Sequence, residues 1–315
     1  MILTTLRCVP ELLEKDLSDK KYLITGSNSG VGRATAAQLV KQGAHVIMGC
    51  RRVEAGEEAA KALEGPGSTE VVRLDLGDLS SVRTCAETVL EKHDFLSGLV
   101  NNAGIMATPY GFTKDGFEQQ FGVNHLGHFL LTELLLDLLK KSAPSRIVCV
   151  SSVVHAGSPK SRPTIDLDDL KWEKKEYDRG AAYSASKLAN VLYAKTLAKK
   201  LEGTGVTAVS LHPGWVRSNL AATVFPLWVQ NIALRPFAPF LGLISIEDGA
   251  QTSLHCILDD DVPNHAGEYY SQNSVLYSDG LKAGGWPLKS PNPNAHDDEL
   301  AEKLYAESLK LVGLD

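Results

Sequence analysis

Apolar residues along this chain follow two alternating rhythms. Short runs of consecutive apolar residues alternate with longer stretches in which apolar positions recur every three or four residues. The short runs predict strands at 21–25, 45–49, 70–75, 98–101, 146–151, 206–212 and 268–271. The longer stretches predict helices at 31–42, 54–63, 79–92, 117–141, 182–202, 247–258 and 297–311. A run such as "RIVCVSS" is apolar on successive residues, as a strand buried on both faces should be. Strand–helix alternation then implies an α/β fold: one doubly wound parallel sheet of about seven strands, with helices on both faces. No internal repeat or domain boundary shows. The expectation is a single domain over 1–315, with a core at about 20–272, an apolar flap at 220–246 and an extension at 283–315 whose first part, 283–293, reads as an irregular tail.

The first strand runs into "TGSNSGVG", with glycines at 26, 30 and 32, and a helix follows. In that setting Gly26 permits a tight turn, Gly30 lets the backbone approach a pyrophosphate, and Gly32 lets helix and strand pack closely. The helix N-terminus adds unpaired N–H groups and a positive dipole end. This makes the sheet a Rossmann-type dinucleotide fold, with the loop residues Gly26, Ser27, Asn28, Ser29, Gly30, Val31 and Gly32 as candidate cofactor contacts. The second strand ends "GCRR" rather than in an acid. An Asp or Glu there would hold a ribose 2′-hydroxyl, whereas Arg51 and Arg52 attract a 2′-phosphate. The cofactor expected is therefore NADP(H) in preference to NAD(H), with Arg51 as the main contact.

Composition narrows the class further. The 315 residues carry a formal net charge of −6 and are 43% hydrophobic, which suits a globular chain and argues against a nucleic-acid binder. The five cysteines form no Cys-x-x-Cys pair, so reduced thiols in an intracellular, cytoplasmic protein are expected, and no metal-ligand spacing appears. No signal peptide or spanning segment shows; the apolar stretch 223–246 is broken by three prolines and Arg235. A peripheral membrane contact stays open.

Candidate chemistry lies in "AAYSASKLANVLYAK", where Tyr183 and Lys187 share one helix face at i, i+4. A nearby ammonium lowers a phenol's pKa and fits it for general acid–base work. Ser151 and Ser152 end a strand where ligands bind in doubly wound sheets, so a hydroxyl there could hold a substrate oxygen. Asn101 to Gly104, "NNAG", also follows a strand, and Asn124 sits within a helix that an amide does not favour. His125, His128, His155 and His212 are scattered along the chain and read as structural histidines.

In order along the chain, TGSNSGVG, Asp75 in "RLDL", NNAG, Asn124 in "VNH", the serine pair, YSASK and "HPGWVRS" resemble the short-chain dehydrogenase/reductase family from about residue 20 to 270. "GCRRVEAGEEAA", "YSASKLANVLYAKTLA" and "EDGAQTSLHC" resemble its retinol dehydrogenase branch. A more distant likeness is to light-dependent protochlorophyllide reductases and WW-domain oxidoreductases. The resemblance implies Tyr183 as catalytic acid/base and Lys187 as the group that lowers its pKa and bonds the nicotinamide ribose. It implies Ser152, rather than Ser151, on the reacting oxygen and Asn124 holding a water in a proton relay to Lys187. Asp75 and Leu76 would contact the adenine; Asn102, Ala103 and Gly104 would line the cofactor; Pro213, Gly214, Val216 and Ser218 would wrap the nicotinamide side. The reaction implied is reversible hydride transfer to a lipophilic carbonyl or from the alcohol: retinoid-like compound, aldehyde, ketone or steroid. The alternatives are a non-catalytic nucleotide sensor or scaffold on the same fold, and a light-dependent tetrapyrrole reductase.

Two features depart from that pattern. The stretch between Ser152 and Tyr183 is long and charged, which suggests a solvated excursion, and the apolar N-terminal anchor common in retinol dehydrogenases is not seen. Phe225, Trp228, Phe237 and Phe240 in the flap suit a lipophilic substrate or packing on the body or a partner. Helices 117–141 and 182–202 often pair subunits in this family, so a homodimer is expected, with a monomer the alternative if the C-terminal segments cover them.

Overall fold

A computed structural model describes residues 3–158, 160–217 and 242–315. Its strands are β1 (Lys21–Thr25), β2 (His45–Cys50), β3 (Ser68–Arg73), β4 (Gly98–Asn101), β5 (Ser145–Val150), β6 (Val206–His212), β7 (Trp215–Val216), β8 (Leu243–Ile244) and β9 (Tyr269–Ser271). The helices are α1 (Gly30–Lys41), α2 (Val53–Lys61), α3 (Leu79–Lys92), α4 (Gln119–Phe121), α5 (Gly127–Lys141), α6 (Arg179–Lys200), α7 (Ile246–Leu258) and α8 (Asp298–Val312). Seven strands form one parallel sheet in the order β3-β2-β1-β4-β5-β6-β9, and β7 and β8 make a separate pair. Strand order reverses between β1 and β4, so the carboxyl ends of those two strands bound the crevice where ligands bind in such sheets. Apolar cores lie on both faces, one centred on Leu99, Phe129 and Leu188, the other on Ile24, Met48 and Leu254. That is why the strand runs are apolar on successive positions. No described helix is long and apolar enough to cross a membrane. All five cysteines are unpaired.

Three predicted elements need correction. The helix expected over 117–141 starts at Gln119, where Glu118 accepts from the N–H groups of Gln120 and Phe121 at 2.9 and 2.7 Å. It is also interrupted by a π-helical turn at Gly122–Leu126, which holds Asn124. Gly127 closes that turn, since a side chain there would run into the Leu76 backbone. β3 starts two residues earlier than predicted because Ser68 N–H already pairs with Ala44 C=O at 3.1 Å. α6 begins at Arg179, where Asp178 accepts from the N–H groups of Gly180 and Ala181 at 2.8 and 3.0 Å.

The C-terminal helix α8 lies across α5 and α6. The Tyr305 hydroxyl donates to Glu133 at 2.9 Å, as does Tyr193 at 2.8 Å. Ser308, fully buried, meets His125 Nε2 at 2.9 Å. Phe129 packs against Tyr305 with ring centroids 5.3 Å apart. This stretch of the helix pair that would face a second subunit is thus covered by the chain itself. Leu304, 1% exposed, anchors the cover. Leu304→Ala should lower unfolding free energy by about 3 kcal/mol, measured by urea denaturation; an unchanged midpoint would show α8 contributes little.

Candidate active site

The glycine loop is shaped by close approach. Gly26 and Gly30 have φ of 66° and 57°, in the left-handed region that favours glycine. A Cβ on Gly26 would lie 2.9 Å from the Ala103 Cβ, and one on Gly32 would collide with the Asn102 amide. The loop, α1 and the 101–104 segment therefore close on one another only with glycine at both positions. Ser29 caps α1 without a side-chain hydrogen bond, so its side chain leaves the helix N-terminus uncovered. Ser27 is buried and donates to Ile24 C=O at 3.0 Å, which sets the turn. Arg51 and Arg52 are exposed just beyond β2, and neither is engaged by an acid among the described residues. A cradle closed by glycine and an unneutralised cation pair fit a phosphorylated dinucleotide.

Asp75 turns the chain after β3, its carboxylate accepting from Gly77 N–H at 3.0 Å. The Leu76 side chain is 5% exposed and lies in the core, not in the crevice. On the far side, Gly214 has φ of 95°. A Cβ on Gly249 would lie 3.1 Å from Val31 and 3.4 Å from Pro213 C=O and would collide with Val216. The glycine loop and the segment after β6 thus meet around α7. Ser218 and most of the 220–246 flap lie outside the described residues.

Tyr183, Lys187, Ser152 and Asn124 converge at the carboxyl edge of β4 and β5. Lys187 Nζ donates to Val150 C=O at 3.0 Å and lies 5.9 Å from the centroid of the Tyr183 ring. A Cβ on Gly104 would lie 3.1 Å from Asn124 Oδ1 and 3.3 Å from Lys187 Nζ, so "NNAG" passes between the two. The serine pair divides its labour. Ser151 donates to Lys187 C=O at 2.7 Å and is buried, whereas the Ser152 hydroxyl is near enough to the Tyr183 phenol to act on it. Burial pushes the Tyr183 phenol up to about 12, and the Ser152 hydroxyl pulls the other way. The expected lowering of this phenol by Lys187 needs correction: burial raises it instead. Burial also pushes Lys187 itself down, to about 8.

Asn124 is a strut. Its Oδ1 accepts from Ile105 N–H at 2.8 Å, and its Nδ2 donates to Ile105 C=O and Ser186 Oγ, each at 3.0 Å. Behind it runs a chain that sequence reasoning missed. Thr25 Oγ1 accepts from the N–H groups of Asn102 and Ala103, each at 2.9 Å. A carbonyl only accepts, so His128 Nδ1–H donates to Asn124 C=O at 3.0 Å. His128 Nε2 is then bare and accepts the Thr25 hydroxyl proton at 2.8 Å. Burial drives His128 down to about 4, which keeps it neutral in that role. The signal available in the sequence was a threonine ending β1 and a histidine four positions after Asn124.

The charged stretch before Tyr183 is more than a solvated excursion. Tyr177 donates to Glu118 at 2.9 Å, and Tyr110 donates to Lys171 C=O at 2.9 Å. Tyr110 and Tyr177 pack with ring centroids 4.9 Å apart. With α6 it encloses a cavity of about 670 Å³ bordered by Val154, Ile165 and Leu276. Neither that cavity nor a larger one of about 880 Å³, lined by Lys195, Glu202 and Tyr269, is lined by Tyr183 or Ser152. His45, Glu70 and His93 also cluster, at the opposite end of the sheet, with Glu70 already paired to His93 at 3.1 Å and to Lys92.

A doubly wound sheet with a glycine cradle and a tyrosine–lysine pair at its carboxyl edge defines a nucleotide-dependent oxidoreductase. The short chain dehydrogenase family model matches residues 20–162 and 172–226, and the chain belongs to that family. It falls in the retinol dehydrogenase-like branch: it is 42% identical to human retinol dehydrogenase 13 over 301 residues, 94% of this chain and 85% of that one. The crystal structure of an uncharacterised protein from Mycobacterium Paratuberculosis superposes with a TM-score of 0.76 at 35% identity, covering 98% of each chain. A protein from Beutenbergia cavernae, assigned as an NAD(P)-dependent gluconate 5-dehydrogenase and holding NADP, reaches 0.64 at 25% identity, covering 80% of this chain and 94% of that one.

Proposed function

We propose that this oxidoreductase uses NADP(H) to reduce a lipophilic aldehyde or ketone, or to run the reverse reaction. The observation that carries the reading is the buried Tyr183 phenol, one helical turn from Lys187 and beside the Ser152 hydroxyl. Residues 26–32 would hold the pyrophosphate, Arg51 and Arg52 the 2′-phosphate, Asp75 and the Leu76 backbone the adenine. Asn102 to Gly104 with Pro213, Gly214 and Val216 would flank the remainder. The bound dinucleotide supplies the hydride. Ser152 holds the carbonyl oxygen, and Tyr183 donates the proton that oxygen needs as it becomes an alcohol. A phenol pushed up to about 12 is protonated at neutral pH, which suits the reductive direction. Lys187 stays mostly cationic there and offers its charge to a developing phenolate. Asn124 holds the water that resupplies the proton through Lys187. The likeness to a retinol dehydrogenase favours an apolar substrate.

NADPH oxidation measured over retinal, aliphatic and aromatic aldehydes, steroids and quinones tests this; no turnover with any of them sinks it. The double variant Arg51→Ser/Arg52→Ser should weaken NADPH binding roughly 30-fold while barely changing NADH, since only the 2′-phosphate contacts are lost. Equal losses for both cofactors, by fluorescence titration, would remove the arginines from that role.

A further inference from the structure

The loop that carries Ser152 is braced from behind by residues 135 and 137 positions later in the chain. His155, with no exposed surface, sits in the 3-10 turn Val153–Ala156 that Ser152 caps. Ser152 C=O can only accept, so His155 Nδ1–H donates to it, at 2.6 Å. The bare Nε2 accepts the Ser290 hydroxyl proton at 2.9 Å, and Ser290 Oγ accepts Asn292 N–H at 3.2 Å. Asn292, also fully buried, spends both Nδ2 protons on carbonyls: His155 at 2.6 Å and Pro163 at 2.9 Å. The imidazole stands edge-on to Tyr269 with centroids 4.6 Å apart, which fixes its plane. Every polar group in this set is satisfied, and its direction of donation follows from the carbonyls alone.

The Ser152 hydroxyl itself is weakly restrained. Among the described residues it accepts one hydrogen bond, a long one from Val154 N–H at 3.4 Å. Where that hydroxyl points is therefore decided by the backbone of residue 152. We propose that His155, held by Ser290 and Asn292, is a positioning residue that fixes the Ser152 backbone so its hydroxyl meets the substrate oxygen beside Tyr183. This rests on the assignment of Ser152 and Tyr183 made above. A displacement of the order of 1 Å at such a group lowers turnover about 100-fold without disturbing the distant cofactor cradle.

The test compares three variants for reduction of retinal and benzaldehyde, with NADPH affinity read by fluorescence and folding by thermal melts. His155→Phe keeps the ring and its contact with Tyr269 but removes both hydrogen bonds. It should lower kcat about 30- to 100-fold and leave the NADPH Kd within about twofold. His155→Asn can reproduce the Nδ1 bond to Ser152 and should recover most of that loss. Ser290→Ala removes only the outer bond and should lower kcat about fivefold. Wild-type kcat in His155→Phe overturns the proposal, as does a loss in His155→Asn as deep as in His155→Phe. If His155→Phe does not fold, Ser290→Ala decides: unchanged kcat at saturating NADPH overturns it. Tyr183→Phe run alongside separates the two readings. Full activity there refutes the active-site assignment, whereas full activity confined to the His155 and Ser290 variants refutes only the brace.

Discussion

Tyr183→Phe should lower kcat for carbonyl reduction by about 10³-fold, a barrier increase of about 4 kcal/mol. The substitution deletes one oxygen and keeps the ring, so the helix face and the Lys187 site are retained. What disappears, on the proposed reading, is the proton donor beside Ser152. NADPH binding, assigned above to residues 26–32 and the arginines, should stay within about twofold. In the oxidative direction the wild-type phenol must be ionised to accept a proton. Because burial holds it up at about 12, alcohol oxidation should keep rising as the pH is raised above neutrality. A Phe variant with wild-type turnover, or an oxidation rate that falls as pH rises from 7 to 9, would mean another group handles the proton.

The second large effect is on stability in acid. Burial drives His125 and His212 down to about 3 and His128 and His155 down to about 4. An unfolded histidine titrates near 6.5. The folded state therefore gains from these rings above pH 6.5 and loses that gain as pH falls toward 4. Each proton taken up on unfolding contributes about 1.4 kcal/mol per pH unit, so four together contribute roughly 5 kcal/mol per unit. Of the roughly 5–15 kcal/mol by which a domain is stable, these rings remove about 5 by pH 5.5 and about 12 by pH 4. His212 sharpens the point, since neither ring nitrogen has a hydrogen-bond partner to receive or share a proton. Circular dichroism across this range should show a cooperative transition; a native signal at pH 3.5 would refute the account.

Much of the site was legible because its signals are local. The glycine loop, the arginines after β2 and the Tyr183–Lys187 pair each lie within a few residues, and the period of a helix or the turn of a loop fixes their geometry. The seven strands and their parallel, doubly wound sheet followed from the apolar runs and their alternation with helices. The choice of Ser152 over Ser151 rested on resemblance; in the structure the Ser151 hydroxyl is spent on the Lys187 carbonyl, while that of Ser152 lies near the phenol. What stayed hidden depends on partners far apart in sequence. Thr25 and His128 meet across 103 positions, and His155 and Ser290 across 135, and no periodicity records such pairs. The π-helical turn at Gly122–Leu126 was invisible because its residues keep a helical spacing of apolar positions. The charged stretch before Tyr183 read as solvated because its inward residues, Ile165, Asp169 and Tyr177, are few among many outward charges.

Residues 290–294, "SPNPN", which on the proposal above brace Ser152, follow β9, the last strand of the sheet, in the chain. Translation runs from the N-terminus, and domains begin to fold as they emerge. A ribosome-bound chain ending before Ser290 already owns every described strand, the glycine cradle and the phenol, but neither the brace nor α8. The pocket that would reduce a carbonyl is thus completed after the sheet that carries it.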